Sequence, residues 1–255
     1  MTAPGGTGVD ASAFDLIPES ANATGAAALC LHGLTGTPYE VRPLAAALVA
    51  RGIRACGPVG AGHAEGPDSL AETPHEDWLD SARSQFERLR QEHERVFLVG
   101  VSMGGLLSLR LAQTHDVDAL VVLGTPLVLP PPIPQLLPVM RMFKRFRKKG
   151  PSGIEDPVAR ARHPGLDRMP LDAVMEMIKL EGKVIEDLGR ISAPILVAHG
   201  KLDRTARPRD AERIHREVGS REKELYLLER SGHVATVDYD GPALARATAD
   251  FLGRR

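Results

Sequence analysis

The chain has 255 residues, 43% of them apolar, which is the composition of an ordinary soluble globular protein long enough to bury a sizeable core. It fits one large α/β domain or two small ones. With 32 Lys and Arg against 33 Asp and Glu the formal net charge is -1, so no whole-molecule field favours nucleic acid as a partner.

Residues 1–12 are small and rich in Gly, Thr and Pro, and read as a flexible tail. They carry no basic region before an apolar run, the first Lys or Arg being Arg42, so a secretory signal is not expected and the cytoplasm is the expected location. Residues 26–31 read as a buried strand, 39–51 as a helix started by Pro38, and 53–59 as the next strand. Cys30 and Cys56 fall inside these apolar runs. Two thiols make neither a disulfide framework nor, alone, a structural zinc site, and both are expected to be plain core thiols. Residues 77–93 space Trp78, Ala82, Phe86 and Leu89 as one face of a helix. The apolar runs at 96–101 and 117–123 read as strands, with a helix at 106–114 between them. Strands buried on both faces appear as continuous apolar runs, and their alternation with helices predicts a mostly parallel sheet flanked by helices.

After Pro126 the alternation stops for about 65 residues, beyond any usual connection length. We read an α/β core over 13–126 and 191–255, with a cap insertion at 127–190. The cap opens on residues 127–140, whose five prolines argue against a regular helix and leave no run that spans a membrane. It continues through Arg141, Lys144, Arg145, Arg147, Lys148 and Lys149, interleaved with Met142, Phe143 and Phe146. This stretch reads first as the solvated charged face of a cap helix and second as a basic amphipathic helix in peripheral contact with an anionic lipid surface. The cap closes with a helix carrying Val174, Ile178, Ile185 and Leu188 along one side. Alternation then resumes: strand 195–198, helix 208–218, strand 225–228 and helix 242–252.

The chemistry lies at strand ends. Gly100-Val101-Ser102-Met103-Gly104 follows a predicted strand and opens a predicted helix, the context in which G-x-S-x-G becomes a sharp turn that exposes the serine hydroxyl. Three companions then belong at determined places. The loop His32-Gly33-Leu34-Thr35-Gly36 closes the strand at 26–31, and the backbone N–H of Leu34 joins that of Met103 as an oxyanion hole. Asp203 follows the strand at 195–198, and His233 the strand at 225–228, giving the chain order Ser, Asp, His of this arrangement. Asp238 and Asp240 are the rivals of Asp203, being close to His233 in sequence, and His199 is the rival of His233. His32 and His63 are read as loop hydrogen-bonding residues. No metal or organic cofactor is required by such a set.

On these residues the chain resembles the α/β-hydrolase family over nearly all of its length after the tail. HGLTG, GVSMGG and SGHVATVD look like the motifs of bacterial carboxylesterases and monoacylglycerol lipases, and the stretch at 60–63 and the Asp77-Trp78 pair look similar to the same group. The resemblance implies an α/β-hydrolase fold with a small cap between strands 6 and 7 of the family's order. It also implies a serine ester hydrolase without fixing its substrate; we expect a small-molecule ester of short to medium chain, with monoacylglycerols and other lipid-derived esters as one candidate class, and read the apolar residues at 127–140 as placed to line an acyl channel. Acyl transfer or perhydrolysis on the same residues, and a noncatalytic binding protein of the same fold, are the alternatives.

Overall fold

The computed structural model describes residues 8–19, 23–150 and 152–255. Its main sheet has seven strands, which in chain order are β1 (Phe14–Leu16), β2 (Ala26–Leu31), β3 (Arg54–Gly57), β4 (Arg95–Val101), β5 (Ala119–Leu123), β8 (Ile195–Gly200) and β9 (Lys223–Leu228). They lie side by side as β1-β3-β2-β4-β5-β8-β9, all parallel except β1, which runs antiparallel to β3. Every residue of β2, β5 and β8 is buried. Because side chains alternate across a strand, Ala27, Leu29 and Leu31 enter one core while Ala26, Ala28 and Cys30 enter the other.

The first core is covered by α3 (His75–Glu92), α4 (Met103–Thr114) and α8 (Pro208–Glu217), through Trp78, Phe86, Leu106 and Ile214. The second is covered by α1 (Arg42–Val49) and α9 (Gly241–Gly253), through Leu44, Leu48, Leu244 and Phe251. Both cysteines are free and buried, as expected of core thiols.

Several elements differ from the sequence reading in extent. The single helix expected over 39–51 is a 3-10 turn, Pro38–Glu40, followed by α1. The break falls at Val41, because Pro43 has no N–H to give the Tyr39 carbonyl and a helical ladder cannot run unbroken from the turn into α1. A short helix α2 (Pro67–Glu72) and the three-residue β1 were not anticipated, being too short for a periodicity.

The cap lies between β5 and β8, the fifth and sixth strands of the sheet among the described residues. It consists of α5 (Ile133–Phe143), a hairpin of β6 (Phe146–Lys148) with β7 (Arg168–Pro170), α6 (Pro157–Arg162) and α7 (Leu171–Glu186). The five prolines do not exclude a helix here, contrary to the sequence reading. Pro134 occupies the first turn, where its missing N–H costs nothing, and only Pro138 interrupts the ladder.

The basic stretch does not form one helix either. Arg141 ends α5 and pairs with Asp172, Arg145 in the following turn pairs with Glu72, and Lys149 follows the strand β6 and is partly buried. The apolar part divides: Leu127, Leu129 and Leu137 join the core, whereas Leu136, Val139, Met142 and Phe143 are exposed, the last two by 78% and 79%. No helix among the described residues is long and apolar enough to cross a membrane.

Of the expected tail, residues 1–7 lie outside the described residues, while Asp10 and Ser12 are held by the Arg42 guanidinium at 3.0 and 2.9 Å.

Candidate active site

The strand order reverses at β2: β3 lies on one side of it and β4 on the other. Ligand crevices of open α/β sheets open at such a point, beyond the carboxyl ends of the strands, and both glycine-rich motifs end there.

Ser102 joins β4 to α4 with φ 53° and ψ -114°, left-handed backbone that non-glycine residues rarely adopt. The flanking glycines make the turn sterically feasible. A Cβ on Gly100 would stand 2.1 Å from the Gly104 carbonyl oxygen, and one on Gly104 would stand 2.1 Å from that of Leu31. The strained turn, held from both sides, presents the Ser102 hydroxyl to His233.

The Ser102 hydroxyl lies 2.9 Å from His233 Nε2, and His233 Nδ1 lies 2.7 Å from Asp203 Oδ2. With Asp203 ionised and therefore only an acceptor, His233 carries its proton on Nδ1 and leaves Nε2 free to accept from the serine. Asp203 is fully engaged: Oδ1 accepts the N–H groups of Thr205 and Ala206 at 2.7 and 3.0 Å, and His199 Nε2 stands 2.9 Å from Oδ2. Burial pushes the Asp203 carboxyl up, but the His233 charge and the bonds to both histidines outweigh it and hold the group well below the usual carboxylate range. For His233 burial disfavours the imidazolium, and the Asp203 carboxylate more than compensates, so its proton affinity is raised.

The structure brings Ser102, His233 and Asp203 together and engages the rivals Asp238 and Asp240 elsewhere. Asp238 accepts four backbone N–H groups, those of Gly232 and Glu155 on Oδ2 and those of Asp156 and Tyr239 on Oδ1. Asp240 caps Arg230 and Ser231. His199 faces Asp203, with both side chains fully buried.

The loop 32–36 lies against the elbow, since a Cβ on Gly33 would approach Ser102 Cβ to 3.3 Å. Among the described residues neither the Leu34 nor the Met103 N–H donates to a protein acceptor. Met103 is the first residue of α4, where the amide has no partner within the helix. Met103 follows Ser102 directly, and Leu34 follows Gly33, which lies against the Ser102 side chain. His32 accepts the Gly60 N–H on Nε2 and donates from Nδ1 to the Gly33 carbonyl, so it is a loop brace, and burial lowers its proton affinity. His63 donates to the Ala61 carbonyl, and burial, aided by His32, brings its pKa to about 3.

Among the described residues His75, Glu76 and Glu176 form the one side-chain group close enough to hold a metal ion. Lys183 and Lys179 already pair its two carboxylates, at 3.1 and 2.5 Å.

The family model described as serine aminopeptidase, S33, matches residues 22–240. The chain belongs to this family. Within and around it, the chain is 30% identical over 227 residues to a thermostable monoacylglycerol lipase from Bacillus sp. (strain H-257), covering 89% of this chain and 90% of that protein. It is 29% identical over 230 residues to a carboxylesterase from Bacillus subtilis (strain 168), covering 89% and 92%. The fold matches that of one of the metagenome-derived lipolytic enzymes LipS and LipT, with a TM-score of 0.90, 24% identity and full coverage of both chains.

Sequence reasoning missed three side chains at this family site. Glu40 is buried directly beneath the loop 32–36, His163 reaches it from the cap, and Lys149 touches the same loop. The only sequence signal was an acidic residue at an otherwise apolar turn after HGLTG. The histidine lies 123 positions away, which no local pattern can connect.

Proposed function

We propose that this protein is a serine carboxylesterase that hydrolyses short- to medium-chain carboxylic esters, monoacylglycerols among them, through an acyl-enzyme on Ser102. The observation that carries the reading is the continuous chain from Ser102 Oγ through His233 to Asp203, at 2.9 and 2.7 Å, beside two unpartnered amides.

The steps follow from that chain. His233 Nε2 takes the Ser102 proton as Oγ forms a bond to the ester carbonyl carbon. Negative charge moves to the carbonyl oxygen, where the Leu34 and Met103 amides receive it; one such donor typically contributes about 3 kcal/mol. Asp203 holds the imidazole in its working tautomer and stabilises the imidazolium. As the tetrahedral species collapses, the bond to the leaving oxygen breaks and His233 returns the proton to that alcohol. A water molecule, deprotonated by the same nitrogen, then attacks the acyl carbon and releases the acid and Ser102. The two curated relatives, a monoacylglycerol lipase and a carboxylesterase, support esters as the substrate class.

The test is a chain-length series of p-nitrophenyl and glyceryl esters with wild type and Ser102→Ala. We expect turnover by wild type, a loss of at least about 10⁴-fold in Ser102→Ala, and stoichiometric labelling of Ser102 by a fluorophosphonate. A Ser102→Ala protein that keeps most of its turnover overturns the mechanism. Rates that vanish by octanoyl remove the monoacylglycerols and leave the esterase.

A further inference from the structure

The loop between Gly33 and Gly36 must hold the Leu34 amide toward the developing oxyanion, yet it contains Thr35 at φ 59°, left-handed backbone that a β-branched residue resists. Something outside the loop holds it. At one end the Gly33 N–H donates to Glu40 Oε2 at 2.9 Å. At the other the Thr35 carbonyl accepts the Leu166 N–H at 3.0 Å and Lys149 Nζ at 3.3 Å, both from the cap. Between them the Gly33 carbonyl accepts from the Gly36 N–H at 3.0 Å and from His32 Nδ1 at 2.9 Å. The peptide unit is planar and trans, so fixing that carbonyl and the preceding amide fixes the opposite direction taken by the Leu34 N–H.

Glu40 stands at the centre of this arrangement. Its carboxylate fills the inside of the loop so closely that a Cβ on Gly36 would lie 2.4 Å from Oε1. Its second oxygen partner is His163 of the cap, whose Nε2 stands 3.0 Å from Oε1, with only 5% of the glutamate side chain and 4% of the histidine exposed. A buried carboxylate is costly unless each oxygen has a donor, and here one donor belongs to the loop and the other to the cap. Burial pushes the Glu40 carboxyl up, but the His163 bond, the charges of His163 and His32 and the Gly33 amide outweigh it and hold it at about 2. It is an acceptor throughout the neutral range, so the His163 Nε2 must be the donor.

We propose that Glu40 is a positioning residue that sets the oxyanion loop, and that His163 ties this setting to the cap. This rests on the ester-hydrolase reading above only for its consequence on rate. The loop donors act on charge present in the transition state and not in the bound ester, so misplacing them lowers kcat and leaves KM nearly unchanged.

The experiment compares Glu40→Leu, which removes both acceptors at similar volume, Glu40→Gln, which keeps one acceptor for Gly33, and His163→Phe, which removes the donor. Each is read by kcat and KM on p-nitrophenyl butyrate, by deuterium exchange of the peptide spanning residues 31–37, and by Tm. We expect Glu40→Leu to lower kcat at least ~10-fold with KM within about twofold, and loop exchange to accelerate. Glu40→Gln should recover most of the rate. His163→Phe should shift kcat and exchange the same way by less, and should add nothing when combined with Glu40→Leu.

A fall in Tm with kcat and loop exchange unchanged overturns the proposal and leaves an ion pair that only stabilises. A rise in KM alone also overturns it. If Glu40→Leu does not fold, His163→Phe decides, because wild-type kcat and wild-type exchange in that variant are incompatible with the proposal. If the wild type hydrolyses no ester, the exchange arm still reads the loop: unchanged exchange sinks this inference, and faster exchange sustains it while the ester reading fails.

Discussion

His233 lies between burial, which disfavours its charged form, and the Asp203 carboxylate, which favours it more strongly. In the mechanism we propose, the imidazole must be neutral to take the Ser102 proton, so activity is expected to fall as pH drops through its raised pKa. The acid limb of kcat/KM should therefore lie above about 6.5, the value of an unperturbed histidine. Asp203→Asn removes the counter-charge, so the limb should move to lower pH while kcat falls by roughly three to four orders of magnitude. A pH–rate profile of the two proteins checks both, and an Asp203→Asn limb at the wild-type position would contradict the assigned cause. At this scale the sequence was informative. Ser102, Asp203 and His233 could be named because glycine spacing and strand ends constrain them locally. Asp238 could be set aside as a rival only once its four amide partners were visible.

Helix α7 carries Glu181 into the core, 4% exposed and with Oε1 unpartnered. Burial, with the Asp210 charge beside it, pushes its carboxyl up to about 7 against the opposing Leu129 amide. In the unfolded chain the group ionises near 4.3. The folded protein resists that ionisation, so stability is lost as pH rises from the unfolded to the folded value and is then level. The full loss amounts to nearly 4 kcal/mol, of which about 3 kcal/mol falls between pH 4.5 and 8. Glu181→Gln cannot ionise, so its stability relative to wild type should grow by about that amount between pH 4.5 and 8. Urea unfolding at several pH values measures it, and a difference that does not vary with pH would refute the assignment.

The same helix was legible in sequence because its apolar positions recur at helical spacing. The helix α5 was not, because proline counts suggest a break while the fold needs only Pro138 to give up a bond. The hairpin of β6 and β7 was missed because three-residue strands have no measurable period.

Across the whole molecule, residues 149–166 of the cap are bonded to both halves of the site. Thr35 and Glu40 take donors from Lys149, His163 and Leu166, and the loop carrying His233 is joined through Gly153, which accepts the Val234 N–H at 3.1 Å, and through Asp238. Asp238 bridges cap and core by accepting amides from each at 2.8 to 2.9 Å. Asp238→Ala would leave several buried N–H groups without partners at about 1–3 kcal/mol each. We expect a loss of at least about 3 kcal/mol in stability by denaturant unfolding, together with lower kcat as the His233 loop loses its hold. Stability within 1 kcal/mol of wild type would show that water replaces the carboxylate without cost.

The sequence by itself determined the alternation of strands and helices, the two-faced parallel sheet, the elbow serine and the order of its partners. Each of these is written in short-range patterns: runs of buried residues, glycines where a Cβ cannot fit, and polar residues just past a strand. Only the tertiary structure decided how the 127–190 segment folds, which residue of its basic stretch is partly buried, and that Glu40 and His163 meet beneath the loop 32–36. Those outcomes depend on contacts between positions 123 apart and on desolvation, which is a property of the packed molecule and not of any stretch of chain.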